Sequence, residues 1–148
     1  MTIYYLGIDV GAKGGIALLH NTELELAVPF DKTKFLDVAS FLSREQEATR
    51  ACVERVHAMP HQGSVSMFSF GQSYGWILGV LDAFEISYQL IDPRRWKSEY
   101  NLNSDKQRSI EVAKQLFPSA PLIPPGCRKP HDGVGESILL SEYARRKL

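Results

Sequence analysis

The sequence predicts an α/β protein: a mixed five-stranded sheet, three antiparallel meander strands plus two parallel ones, flanked by helices. Three observations predict it. The N-terminal stretch holds three short apolar runs joined by glycine-rich or polar links, as in consecutive hairpins. Further apolar runs then alternate with segments of helical period. The chain's 148 residues, 44% hydrophobic and 23% charged, suit one domain with a real core.

Residues 3–8, 15–19 and 24–28 form the meander. Residues 32–47 place Phe35, Leu36, Val38, Ala39 and Leu42 near helical spacing among many charges, which predicts a helix. ACVERV, residues 51–56, reads as a short strand interrupted by Glu54. Residues 57–70, HAMPHQGSVSMFSF, have no clear period and contain Pro and Gly, so a loop with exposed apolar residues is expected. A helix follows over about 71–84, then a strand, ISYQLI, at 86–91, stopped by Asp92-Pro93. Another helix spans roughly 104–117, with Ser104 as its cap and Gln107 at the capping-box position. PSAPLIPPG is a stiff connection, and a last helix covers about 131–146. No internal repeat, low-complexity segment or second domain interrupts 1–148.

No apolar run is long enough to span a bilayer, and MTIYYLGID lacks the basic start and cleavage site of a secretory signal. A cytoplasmic protein is the expectation. Cys52 falls in an apolar run and Cys127 in a loop. Two lone cysteines make neither an expected disulfide in a reducing compartment nor a zinc site. Seventeen basic residues balance seventeen acidic ones, which argues mildly against a nucleic-acid binder. Local patches qualify that total: Arg94, Arg95, Lys97, Lys106 and Arg108, then RKPH at 128–131, then ARRKL at the end.

The stretch LGIDVGAKGGIALL, residues 6–19, puts Asp9 inside what reads as a buried strand. An ionised carboxylate is costly there unless it is paired, hydrogen-bonded or metal-bound. Glu54 falls near the end of the fourth strand. If the two strands are parallel neighbours, both acids emerge at the sheet edge where open α/β sheets bind ligands. Asp132 and Glu136, four apart, share one face of the last helix. Four converging acids repel one another unless cations neutralise them. Oxygen ligands favour hard divalent ions, Mg²⁺ first, and two ions could clamp the attacking and leaving oxygens of a phosphodiester. Taken singly, each acid has a plainer role: Asp9 as a turn residue, Glu54 in an ion pair with a neighbour such as Arg55, Asp132 as a helix cap, Glu136 as solvated surface.

The order GIDVGAKGGIALL, VERVHAMP, FGQSYGWILG and KPHDGVGESILLSEYA resembles the RuvC-type Holliday junction resolvases, members of the RNase H-like, retroviral-integrase superfamily. The resemblance covers essentially the whole chain. It is closest to the phage, bacterial and chloroplast branch, whose last motif is D-x-x-x-E. The better-known bacterial pattern is D-x-x-D, and Gly133 stands where its first acid would fall, so Asp132 takes that role. The resemblance implies an endonuclease that acts as a homodimer on four-way DNA junctions by symmetric nicking, leaving 5′-phosphate and 3′-hydroxyl ends. It implies that Asp9, Glu54, Asp132 and Glu136 hold two Mg²⁺ ions, with Mn²⁺ able to substitute. His131 would assist as ligand, acid or phosphate contact, or simply hydrogen-bond at the helix start.

Gly71, Gly75 and Gly79 leave one stripe of a helix without side chains, at about 1 kcal/mol each relative to alanine. The resemblance places a dimer interface there; packing on the chain's own sheet is the alternative. Met67, Phe68 and Phe70 are candidates for an apolar wedge between bases, Phe68 foremost, or else they close the core. Lys97 and Lys106 stand where the family carries basic residues beside the scissile phosphate. Arg94, Arg95 and Lys129 are candidate phosphate contacts, which set affinity rather than base preference. Solvated surface is the alternative for all five.

Three other readings stay open. An RNase H-like nuclease for flaps, branched DNA or structured RNA would use the same acids. An actin-like nucleotide-binding domain shares the opening motif but needs a second such domain and a second phosphate loop. A non-catalytic junction-binding module would be expected to have lost an acid. A recombination helicase or phage packaging machinery as a further partner is not specified by these residues.

Overall fold

A computed structural model describes residues 2–57 and 63–148. The meander is β1 (Ile3–Asp9), β2 (Gly15–His20) and β3 (Glu23–Pro29). Then come α1 (Lys32–Arg44), β4 (Ala48–Glu54), α2 (Ser64–Ala83) and β5 (Tyr88–Ile91). Three helices close the chain: α3 (Pro93–Glu99), α4 (Lys106–Leu116) and α5 (Asp132–Lys147). The sheet order is β3-β2-β1-β4-β5. β1 pairs antiparallel with β2, and β2 with β3. β1 pairs parallel with β4, and β4 with β5. The expected mixed five-stranded sheet is therefore present, with helices on both faces.

The two faces follow from the period-2 alternation of strand side chains. Tyr4, Leu6 and Ile8 of β1 and Ala51 and Val53 of β4 pack with Phe35, Val38, Ala39 and Leu42 of α1 and with Ile77 and Leu81 of α2. The opposite face carries Tyr5 and Cys52, packed with Trp96, Ile110, Ile138 and Leu139 from α3, α4 and α5. Asp9 and Glu54 are in step with Tyr5 and Cys52, so both belong to the α5 side of the sheet. Burial pushes the Cys52 thiol up to about 12, which makes it inert core, and Cys127 is exposed and free.

Alpha helix α5 lies directly on the backbone of β1 and β2. A Cβ at Gly7 would stand 2.2 Å from the Ser137 carbonyl oxygen and 2.3 Å from the Ser141 nitrogen. One at Gly133 would stand 2.2 Å from the Lys13 oxygen, and one at Gly15 2.3 Å from the Gly133 oxygen. These glycines are required by contact of backbone with backbone. The turn after Asp9 uses a different property: Gly11 has φ +127°, open only to glycine at low cost.

Several local expectations are corrected. α2 begins at Ser64, so Met67, Phe68 and Phe70 lie in its first turns and not in a loop; residues 58–62 of the expected loop fall outside the described residues. The helical segment is apolar on most sides, so its start shows no helical period. A helix, α3, follows β5 where only a strand stop was expected. Its Asp92-Pro93 start puts proline at the favoured first position. α4 is capped by Asp105, whose carboxylate accepts from the Gln107 N–H at 3.0 Å, and not by Ser104. α1 ends at Arg44 and β4 runs Ala48–Glu54, both shifted from their expected bounds.

Candidate active site at the sheet edge

Asp9 ends β1 and Glu54 ends β4, and because these strands are parallel neighbours both acids stand at one edge of the sheet. α5 starts at that same edge. Its first residue is Asp132, and Glu136 follows one turn later. Glu136 lies close enough to Asp9 for its carboxyl to act on the Asp9 carboxyl. Asp9 is 9% exposed. Burial first, then the Glu136 carboxyl, then the Glu54 charge, push its carboxyl up to about 9; Lys106 opposes this. Without a counter-charge Asp9 therefore keeps its proton at neutral pH. Burial also raises Glu54, against a hydrogen bond from the Trp96 indole that favours its charged form. The Trp96 Nε1–H donates to Glu54 Oε2 at 2.8 Å.

Asp132 is half-exposed at the mouth of the site, with Lys106 Nζ 4.0 Å from its Oδ2. His131 is the N-cap of α5: its Nδ1 accepts from the Val134 N–H at 3.2 Å. That is the helix-start role. Lys97 lies close enough to Glu54 to favour its charge and stands 5.6 Å over the Trp96 ring. Arg94, Arg95 and Lys129 are exposed, and none of the three is ion-paired among the described residues. By contrast, Arg145 and Arg146 are held by the buried Glu142, and Arg146 and Lys147 by Glu99, at 3.0 and 3.4 Å.

The three wedge candidates separate. Phe68 is 69% exposed on α2. Phe70 is half-buried against the core, its ring centroid 6.4 Å from that of Tyr74. Met67 joins Phe70, Val56 and Pro93 around a cavity of about 280 Å³ that opens beside Glu54. Gly71, Gly75 and Gly79 face away from the sheet: among the described residues, a Cβ on any of them meets nothing within 4 Å. Packing of that stripe on the chain's own sheet is thus overturned.

Asp9, Glu54 and Glu136 stand within electrostatic reach of one another, while Asp132 faces Lys106 at the start of the same helix as Glu136. Trp96 was not anticipated from the sequence. Its signal was present: a lone tryptophan one turn after an Asp-Pro helix start. Among the described residues, no three acidic, histidine or cysteine side chains are already set as ligands of one ion. The donors are nonetheless all carboxylate oxygens, and burial beside Glu136 favours the protonated form of Asp9. That donor set fits a hard divalent cation, whose charge would replace the proton.

The sequence matches no protein-family model, and no curated protein shows significant similarity to it. The fold does have close counterparts. The chain aligns with Thermus thermophilus RuvC in complex with a Holliday junction substrate at a TM-score of 0.59 and 14% identity, over 99% of this chain and 96% of that one. A Thermus thermophilus RuvC structure aligns at a TM-score of 0.59 and 12% identity, over 95% and 91% of the two chains. The architecture is an RNase H-like α/β fold. Its structural neighbours are RuvC Holliday junction resolvases, as the sequence motifs led one to expect.

Proposed function

We propose that the protein is a divalent-metal-dependent endonuclease that resolves four-way DNA junctions. One observation carries the reading: acids from β1, β4 and α5 meet at a single sheet edge, with the buried Asp9 within electrostatic reach of Glu136 and Glu54, in a fold that aligns end to end with a RuvC bound to a junction. Asp9, Glu54, Asp132 and Glu136 would hold Mg²⁺ or Mn²⁺. The bound ions would supply an activated water and stabilise the charge that develops on the phosphate. The chain's own groups do the rest. Asp9 would release its proton on binding a cation, whose charge would take the proton's place. Lys106, beside Asp132, and Lys97, beside Glu54, orient the phosphate and balance its charge. Arg94, Arg95 and Lys129 hold neighbouring phosphates, and Phe68 is the exposed aromatic that stacks against an opened base step.

The balanced net charge fits this reading once the site is considered. With four of the seventeen acids neutralised by cations, thirteen face seventeen bases. Affinity should then fall steeply with salt.

A second copy of the chain would pack on the open glycine stripe of α2. Gly75→Leu is expected to leave the protomer folded, because a Cβ there meets nothing within 4 Å among the described residues and the helix gains a better former. The same change should convert a dimer to monomers in analytical ultracentrifugation and replace paired nicks with single ones. A dimer of undiminished stability would place the interface elsewhere.

The function is tested with a synthetic four-way junction, a matched linear duplex and a flap, each with Mg²⁺ or EDTA. Paired symmetric nicks confined to the junction, lost in EDTA and in Glu136→Gln, are expected. Equal cutting of the flap would keep the nuclease and remove the junction preference. Junction binding with no cutting at any metal concentration would favour a binding module.

A further inference from the structure

The geometry points to Trp96 as a positioning residue for Glu54: its indole N–H holds Oε2 and leaves Oε1 as the oxygen that meets the ion. The inference rests on the metal-dependent reading above. Trp96 is fully buried, and its ring packs in the cluster shared by α3, α4 and α5. An indole N–H is a donor only, and a buried one needs an acceptor. Here the acceptor is a site carboxylate at 2.8 Å and not a backbone carbonyl.

The donor is itself held at both ends of α3. At the start, Pro93 follows Asp92, whose carbonyl accepts from the Arg95 and Trp96 N–H groups at 3.0 and 3.4 Å. At the end, Glu99 pairs with Arg146 and Lys147 of α5 at 3.0 and 3.4 Å. Tyr100 donates to the Leu139 carbonyl of α5 at 2.7 Å, and the Arg146 guanidinium stands 5.0 Å over its ring. The helix that supplies Asp132 and Glu136 is therefore tied to the helix that orients Glu54. A carboxylate at a strand end has free rotation about its own side chain. Trp96 removes that freedom and commits one oxygen before any ion arrives. Such outer contacts to a metal-binding carboxylate are worth about 10–100-fold in metal affinity.

The test replaces Trp96 in the full chain with 3-benzothienylalanine, which keeps the ring shape and puts sulfur in place of N–H. Calorimetric titration with Mg²⁺ and with Mn²⁺, without DNA, is expected to show about tenfold weaker binding. The Mg²⁺ concentration for half-maximal cleavage should rise in parallel. An unchanged dissociation constant overturns the proposal. A second readout leaves Trp96 intact. In Trp76→Phe protein, the single remaining indole N–H resonance is expected to shift with Mg²⁺ and to move upfield in Glu54→Gln. A resonance indifferent to both also overturns it. Parent protein that binds no divalent ion overturns the metal-dependent reading itself, and does so without reference to Trp96.

Discussion

Asp9→Asn is expected to abolish cleavage and, in metal-free protein at pH 8, to raise the melting temperature. The two effects have one cause. Asp9 is buried beside Glu136, and its folded-state carboxyl is raised from 3.8 to about 9. Between those values the folded chain holds a proton that the unfolded chain has released. Stability then falls as pH rises through that window, because the unfolded state binds fewer protons. The metal-free protein should melt at steadily lower temperature from about pH 5 to pH 9, and Mg²⁺ should restore most at the alkaline end. Asparagine keeps the shape, carries no charge and can donate to Glu136. It should therefore stabilise the metal-free fold by about 2–4 kcal/mol, or roughly 5–12 °C at this chain length. The same substitution removes a ligand, so cleavage should fall by about a thousandfold or more. Melting curves in EDTA at pH 6 and pH 8, for parent and variant, check the first part. An Asp9→Asn protein less stable than the parent at pH 8 would show that Asp9 is satisfied without a cation.

Gly7→Ala is expected to lift α5 off the sheet and to destabilise the fold strongly. The new Cβ would fall 2.2 Å from Ser137 O and 2.3 Å from Ser141 N, both backbone atoms in the middle of α5. No side-chain rotation relieves that contact, so α5 must rise off the sheet. The buried surface of Val134, Ile138, Leu139 and Leu140 rises with it. Overpacking of this kind costs about 3 kcal/mol or more, near the top of its usual range. A fall in melting temperature of roughly 8 °C or more should follow. Cleavage should be lost as well, since Glu136 leaves Asp9. A variant melting within about 2 °C of the parent would mean that α5 can shift cheaply.

The contrast between Gly7 and Gly75 shows what the sequence could and could not reveal. Gly71, Gly75 and Gly79 stood out because they repeat, yet a Cβ on any of them would meet nothing within 4 Å among the described residues. Gly7, Gly15 and Gly133 look ordinary, scattered through one strand, the start of the next and a helix start, yet they set the distance between sheet and helix. Close approach across the sequence leaves no local pattern. The acids were legible for the opposite reason. A carboxylate in an apolar strand conflicts with its surroundings, and Asp132 and Glu136 share a helical face by spacing alone. α3 was missed because seven residues are too few to show a period, and PRRWKSE reads as polar; Trp96 is buried by its tertiary neighbours. The wedge candidates were misplaced because α2 is apolar on most sides, and such a helix start cannot be told from a loop by periodicity.

The docking of α5 also bears on timing. Asp9 lies in the first strand and Glu136 in the last helix, so the site is closed by a contact that spans nearly the whole sequence. Contacts of such separation form late, because the intervening chain must be ordered before they return any free energy. A growing or partly refolded chain would carry its strands, its basic helices and its exposed aromatic before it carried a complete set of acids. It could hold DNA in that state without cutting it. Capacity to bind should therefore precede capacity to cleave during refolding, and the interval between them measures how long α5 takes to seat on Gly7.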